Sequence, residues 1–265
     1  MKVRVTASPR PEVVVPPAER PQVSFVAVTY GTGSVVLDSL AAIAASLPPS
    51  LAWEYVVVDN AHPTLPGHSR RLLALGTSGV RLVEPGENLG FGGGCNAGLA
   101  VARADVAVLI NPDVFPLPGW YEPLATALDD PTVAIAAPVL LDPDGSVQEA
   151  GSRINRRGDP IPHTEAPEPG EVSAVMFASA ACWMVRRAEI LDAGGFDPAY
   201  HPAYFEDADL AMRLAAAGRR TVVAGSSRVT HLVHMSTPSH GHPESSRQRA
   251  EFLRRWSPHL PDTAG

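Results

Sequence analysis

Three apolar runs limit what this chain can become. VSFVAVTY (23–30), WEYVVVDN (53–60) and VAVLI (106–110) have the length and residue types of buried strands, and helix-like stretches separate them. One helix reads over Val35 to Ser46, another near Ser69 to Leu75 and a third around Cys95 to Ala102, with VRLVEP as a further strand before the third. This alternation predicts an α/β domain whose mostly parallel central sheet is flanked by helices. The carboxyl ends of parallel strands share one edge, and open α/β sheets bind ligands there. Asp59 closes the second run; Asp113 follows the third in INPDVFPLPGW (110–120), where two further prolines forbid regular continuation. One such acid would be an ordinary Asn-Pro-Asp turn, whereas two on one edge point to a polar ligand. Thr29 and Tyr30, at the end of the first run, line the same crevice.

The pattern continues beyond Asp113. Residues 119–130 read as a helix, VAIAAPVLL (133–141) as a strand and DPDG (142–145) as a hairpin turn. Residues 151–172 are dense in Pro, Gly and charge and read as one long loop, of the kind that is functional or mobile. VMFASAACWMVRR then reads as a strand and AEILDA as a helix stopped by Gly194-Gly195. The expected organisation is a Pro-rich tail over 1–20, one domain over 21–236 and an extension over 237–265, with both ends peripheral.

A net charge of -7 with no Lys/Arg block argues against a nucleic-acid partner. No apolar run approaches the roughly 20 residues that span a bilayer, which leaves at most peripheral membrane association. Cys95 and Cys182 lack metal-ligand spacing, and the N-terminal stretch lacks a signal-peptide core; a cytoplasmic location is expected.

Three further segments carry candidate chemistry. In PGENLGFGGGCNAG (85–98), Gly92 to Ala97 fits the dinucleotide pattern G-x-G-x-x-A, which would make the chain a nicotinamide-dependent oxidoreductase. The context argues against it, because Glu84 to Phe91 separate the first glycine from the preceding strand; glycines also let a helix pack closely on a sheet. In YFEDADL (204–210), Glu206, Asp207 and Asp209 precede an evident helix. Acids there offset the helix dipole, and Asp209 can pair with Arg213, but a carboxylate beside an acceptor hydroxyl is also what a general base requires. His231 and His234 in VTHLVHMS read as an extended edge, where residues three apart face opposite ways and at most one reaches a shared metal.

Taken in order, AVTYGTG, VVVDNAH, GENLGFGGGCNAG, LINPDVFPLPGW, ASAACWMVRR, GGFDPAYHPAYFEDADLAMRLAAAGRR and THLVHMS resemble the inverting family 2 glycosyltransferases of GT-A fold, in particular their rhamnosyltransferase-like branch. The resemblance covers about residues 22–236. It implies a single Rossmann-like GT-A domain that moves one sugar from a nucleotide-diphosphate sugar, TDP-rhamnose or a UDP-sugar, to a hydroxyl of a glycan, lipid-linked or small-molecule acceptor. By the same implication Asn111-Pro112-Asp113 stands for the family's D-x-D motif, with Asp113 binding Mg²⁺ or Mn²⁺ and His231 a further metal ligand. Thr29, Tyr30, Asp59, Asn88, Gly92, Asn96 and Asn111 would hold the nucleotide sugar, and Asp207, with Glu206 as its understudy, would be the base. Two positions depart from the family: Asn111 replaces an Asp, and Ala180 stands where Gly is frequent. A non-catalytic sugar-nucleotide binding module would keep Asp59 and Asp113 without needing Glu206-Asp207.

Overall fold

The computed structural model describes residues 12–232 and 245–261. The first half runs β1 (Val13–Val14), β2 (Val23–Thr29), α1 (Val35–Ser46), β3 (Trp53–Asp59), α2 (His68–Gly76), β4 (Thr77–Ser78), β5 (Arg81–Val83), α3 (Gly90–Val101), β6 (Val106–Ile110), β7 (Val114–Pro116) and α4 (Tyr121–Asp129). The second half runs β8 (Val133–Leu141), β9 (Val147–Glu149), β10 (Ser152–Ile154), β11 (Pro160–Pro162), β12 (Val172–Val175), β13 (Cys182–Arg186), α5 (Arg187–Asp192), α6 (Glu206–Ala216), β14 (Arg220–His231) and α7 (Ser245–Trp256).

The main sheet has the strand order β12-β14-β8-β13-β6-β2-β3-β5. From β6 to β5 every pairing is parallel, as the strand–helix alternation requires. The other half is mixed, because β13 enters antiparallel between β6 and β8. Helices cover both faces, so β3 and β8 are buried along their whole lengths. α1 and α4 close one core with Leu40, Ile43 and Leu124, while α3, α5, α6 and α7 close the other with Leu99, Ile190, Leu210 and Phe252.

The structure changes four sequence readings. The Gly92–Ala97 stretch is not a turn but part of α3, which starts at Gly90. A Cβ at Gly94 would lie 2.7 Å from Val28 Cγ1, and one at Gly98 would overlap Val26, so these glycines let α3 lie directly on β2. The glycines of the G-x-G-x-x-A pattern thus lie inside a helix and not in a tight turn directly after a strand, which argues against a nicotinamide phosphate turn there. The stretch read as a strand over VMFASAACWMVRR is broken, with β12 ending at Val175 and β13 starting only at Cys182. Residues 151–172 are not one open loop, since β10 and β11 pair antiparallel within them. Finally, α7 is not peripheral: Phe252 is fully buried, and its ring lies 5.3 Å from that of Phe205. His234 lies outside the described residues.

Candidate active site

The parallel strands bring their carboxyl ends to one edge. Thr29 and Asp59 are cross-strand partners there, and both are buried. Thr29 Oγ1 is engaged with Ser69 Oγ at 2.8 Å and Val58 O at 3.2 Å, so its hydroxyl points into the fold. Half-exposed Tyr30 follows, its ring 4.6 Å from that of His62.

Asn60, which the sequence reading did not single out, organises the next wall. Its Nδ2 donates to Asn88 Oδ1 and to Gly90 O, each at 2.9 Å, and its Oδ1 accepts from Leu89 N at 2.8 Å. Asn88 is thereby fixed at the start of α3, whose first backbone N–H groups are taken up within the fold, Gly90 N by Asn88 Oδ1 at 2.9 Å and Phe91 N by Pro202 O at 2.7 Å. His201 reaches the same turn, with Nε2 at 3.0 Å from Asn88 O. Gly92 and Asn96 serve the interior: a Cβ on Gly92 would meet Phe196 at 2.6 Å, and the Asn96 amide makes hydrogen bonds of 2.8 and 2.9 Å with the Phe196 backbone.

Asn111 and Asp113 follow β6, with Asn111 N donating to Ala181 O at 2.8 Å. Asp113 is 3% exposed, its Oδ1 has no hydrogen-bond partner, and burial pushes its pKa up to about 6. His231 ends β14 opposite Val114, and its Nε2 faces Asp113 Oδ1 at 3.6 Å. Gln148 sets the state of that ring. Its Nε2 donates to Asp142 Oδ1 (2.8 Å) and His231 O (3.2 Å), which leaves Oε1 to accept from His231 Nδ1 at 2.8 Å. In the neutral ring the Nδ1 proton is thus committed to Gln148, and the Nε2 lone pair faces a carboxylate oxygen. A carboxylate and an imidazole facing each other are of the donor types that can hold a divalent cation. Among the described residues no group of three or more His, Cys, Asp or Glu is placed to hold a metal. Mg²⁺, however, is ordinarily held by one or two carboxylates, with water and substrate phosphates completing its shell.

The other wall is the start of α6. Tyr204 and Phe205 both have left-handed backbones, with φ of 82° and 69°, a strained arrangement for non-glycine residues. It turns the two following acids apart. Glu206 is buried toward α3, with Oε2 unpartnered, and burial raises its pKa well above the usual carboxylate range. Asp207 turns the other way: its Oδ2 accepts from Ala180 N at 3.4 Å, and burial raises its pKa too. Ala180 and Ala181 therefore touch both acidic segments, Asp207 through one amide and Asn111 through the next carbonyl. Asp209 belongs to packing, bonded to Tyr200 Oη (3.0 Å), Arg213 Nε (2.8 Å) and Trp256 Nε1 (2.9 Å).

An edge of strand-end carboxylates facing a helix-borne acid is found together with a sequence match of the same kind. The model of Glycosyl transferase family 2 matches residues 24–191, more than half of the chain. The chain belongs to glycosyl transferase family 2. Among its relatives in this family, the N-acetylglucosaminyl-diphospho-decaprenol L-rhamnosyltransferase of Mycobacterium tuberculosis is 33% identical over 181 residues, 57% of this chain and 58% of that protein. The Pre-mycofactocin glycosyltransferase of the same organism is 33% identical over 134 residues, 47% of this chain and 26% of that protein. Protein y4gI of Sinorhizobium fredii is 28% identical over 235 residues, 78% of this chain and 24% of its own length. The family 2 chain thus spans between about a quarter and three fifths of these relatives.

Solved structures give the fold of the family 2 domain. GalNAc-T7 with UDP, GalNAc and Mn²⁺ superposes with a TM-score of 0.69 at 16% identity, covering 89% of this chain and 48% of that one. The mannosyltransferase PcManGT of Pyrobaculum calidifontis, in complex with GDP-Man and Mn²⁺, gives a TM-score of 0.54 at 20% identity, covering 96% and 74%. Both are GT-A glycosyltransferases, and the family 2 chain shares that fold.

Proposed function

We propose that this chain transfers a single sugar from a nucleoside-diphosphate donor to an acceptor hydroxyl, with inversion and with Asp207 as general base. The observation that carries the reading is the Ala180–Ala181 turn, which touches Asp207 on one side and Asn111 on the other. A base must stand opposite the departing group for direct displacement, and one short turn links the two positions. Asp207, its proton affinity raised by burial, takes the acceptor's hydroxyl proton as the new glycosidic bond forms. Asp59 and Thr29 border the nucleoside, Tyr30 offers a stacking face, and Asn88 and Asn111 border the ribose and the sugar, with Gly92 and Asn96 shaping that wall from beneath. Asp113 and His231 would hold Mg²⁺ or Mn²⁺, which when bound offsets the charge developing on the departing diphosphate.

TDP-rhamnose or a UDP-sugar is the proposed donor, and a glycan, a lipid-linked molecule or a small molecule is the proposed acceptor; a rhamnosyltransferase named for a lipid-linked diphosphate among the relatives and UDP in the GalNAc-T7 structure support this reading. The domain is proposed to occupy 21–236, with 1–20 as a tail and 237–265 as an extension whose helix α7 packs back onto the domain core. A cytoplasmic location, with peripheral membrane contact at most, is proposed from Cys95 and Cys182, both free and buried. No helix among the described residues is long and apolar enough to cross a membrane.

The test is a thermal-shift titration of UDP, TDP, GDP and NAD with and without Mn²⁺, followed by Asp207→Asn. The expected result is a metal-dependent rise in melting temperature with one nucleoside diphosphate, retained in D207N while transfer is lost. A shift with NAD alone, or full turnover in D207N, would overturn the reading.

A further inference from the structure

A third carboxylate reaches the site beside Glu206 and Asp207. Glu149 ends β9, and its Oε1 accepts from Ser179 N at 2.7 Å. The next amide, Ala180 N, is the one that donates to Asp207 Oδ2. Two acids far apart in the chain thus sit on consecutive N–H groups of one turn. Packing alone does not ask for an acid here: Glu149 lies opposite Leu140, and its neighbours Val147 and Ala150 belong to the apolar core.

We propose that Glu149 is a positioning residue for the transfer reaction: held beside Asp207 on the Ser179–Ala180 turn, it shares negative charge with that carboxylate and sets how readily Asp207 takes the acceptor's proton. The proposal rests on the reading of Asp207 as the base.

The groups facing Glu149 leave its charge uncompensated. From the 179–180 turn comes the Ser179 amide, from β10 the Ser152 hydroxyl and from α6 the Asp207 carboxylate, with no cation among them. Burial therefore pushes the Glu149 pKa up to about 7, with the Asp207 charge adding to the rise. Glu206, on the far side of Asp207, is raised by burial and by the same Asp207 charge, so an extra negative charge in this cluster is disfavoured. Asp207 ionises first and its charge raises Glu149; by reciprocity, Asp207 holds a proton more strongly once Glu149 ionises near neutrality than beside a neutral Glu149.

The experiment follows carboxyl ¹³C resonances of the full chain, labelled in Asp and Glu, as a function of pH without any ligand. Unaltered protein should show one Glu carboxyl titrating near neutrality, and that resonance should vanish in Glu149→Gln. The Glu149 midpoint should fall by about one pH unit in Asp207→Asn, the size of a neighbouring-charge effect, because Asp207 is the group that ionises first. kcat/KM should carry an inflection near the Glu149 midpoint that E149Q removes and Glu149→Asp keeps. A Glu149 resonance titrating in the ordinary carboxylate range would overturn the proposal, and that measurement needs no variant to fold. An unchanged Glu149 midpoint in D207N, with D207N inactive, would overturn the coupling alone. Full turnover in D207N would overturn the base reading and this proposal with it.

Discussion

At the scale of single residues, the two edges of the parallel strands treat buried acids in opposite ways. At the amino end Glu54, 3% exposed, accepts from Ser24 Oγ at 2.6 Å, Arg103 N at 2.7 Å and Arg81 Nη1 at 3.0 Å. Burial opposes its charge, but these bonds hold it below the usual carboxylate range. Glu54→Ala should destabilise the fold by about 2–3 kcal/mol in urea unfolding, because it strands the partners of a charged hydrogen-bond cluster. At the carboxyl end Asp113 has no such support. Asp113→Asn should raise the melting temperature of the metal-free protein, worth about 1–2 kcal/mol, while removing the Mn²⁺ dependence of nucleotide binding. Glu149 adds a pH signature. Its folded pKa, about 7, lies above the ordinary 4.5, so the folded state retains a proton that the unfolded chain has released. The associated stability is complete below about 4.5 and is lost as pH rises through about 7; E149Q should flatten that part of a melting-temperature profile. The places of Asp113 after a strand and of Asp207 at a helix start were legible from the strand run and the helix pattern. Glu149 was not, because VQEAG carries no sign of where the acid points, and its neighbour comes from a distant helix.

Among the elements, α3 separates what patterning reveals from what sterics decide. The strand and helix positions of the first half follow from runs of buried residues. A glycine-dense stretch instead reads as a turn, since glycine costs a helix interior about 1 kcal/mol relative to alanine. That cost is offset because any side chain at Gly98 would collide with Val26 on β2. Gly98→Ala should therefore lower stability by about 1–3 kcal/mol in chemical denaturation, against the sign of its helix propensity. The break between β12 and β13 was hidden for a related reason. FASAACW is apolar enough to continue a strand, yet Ala178 O accepts from Trp183 Nε1 at 3.2 Å and the chain turns there, freeing the Ser179 and Ala180 amides for the acids.

For the molecule as a whole, the parallel half could be read from strand–helix order, but the mixed half could not, because antiparallel insertion of β13 leaves no periodic trace. The role of α7 was equally hidden. Trp256 and Arg255 bond Asp209, and Arg255 also bonds Asp197 at 2.7 Å, so α7 fastens the start of α6 to the 197–200 segment. Trp256→Ala should lower kcat several-fold with donor binding little changed, read by steady-state kinetics beside nucleotide titration, because Asp207 rides on that helix start. β14 carries a longer-range consequence. This twelve-residue strand pairs with β12, β8 and β7 and delivers His231 to Asp113 only at its final residue. Half of the facing pair is thus supplied by the far end of a long strand, so the pair exists only where β14 is seated along its whole length against β8 and β7. On the proposed reading of Asp113 and His231 as the pair that holds the cation, Mn²⁺ affinity should be lost together with the β14–β7 pairing, which makes it a report on that seam as well as on chemistry.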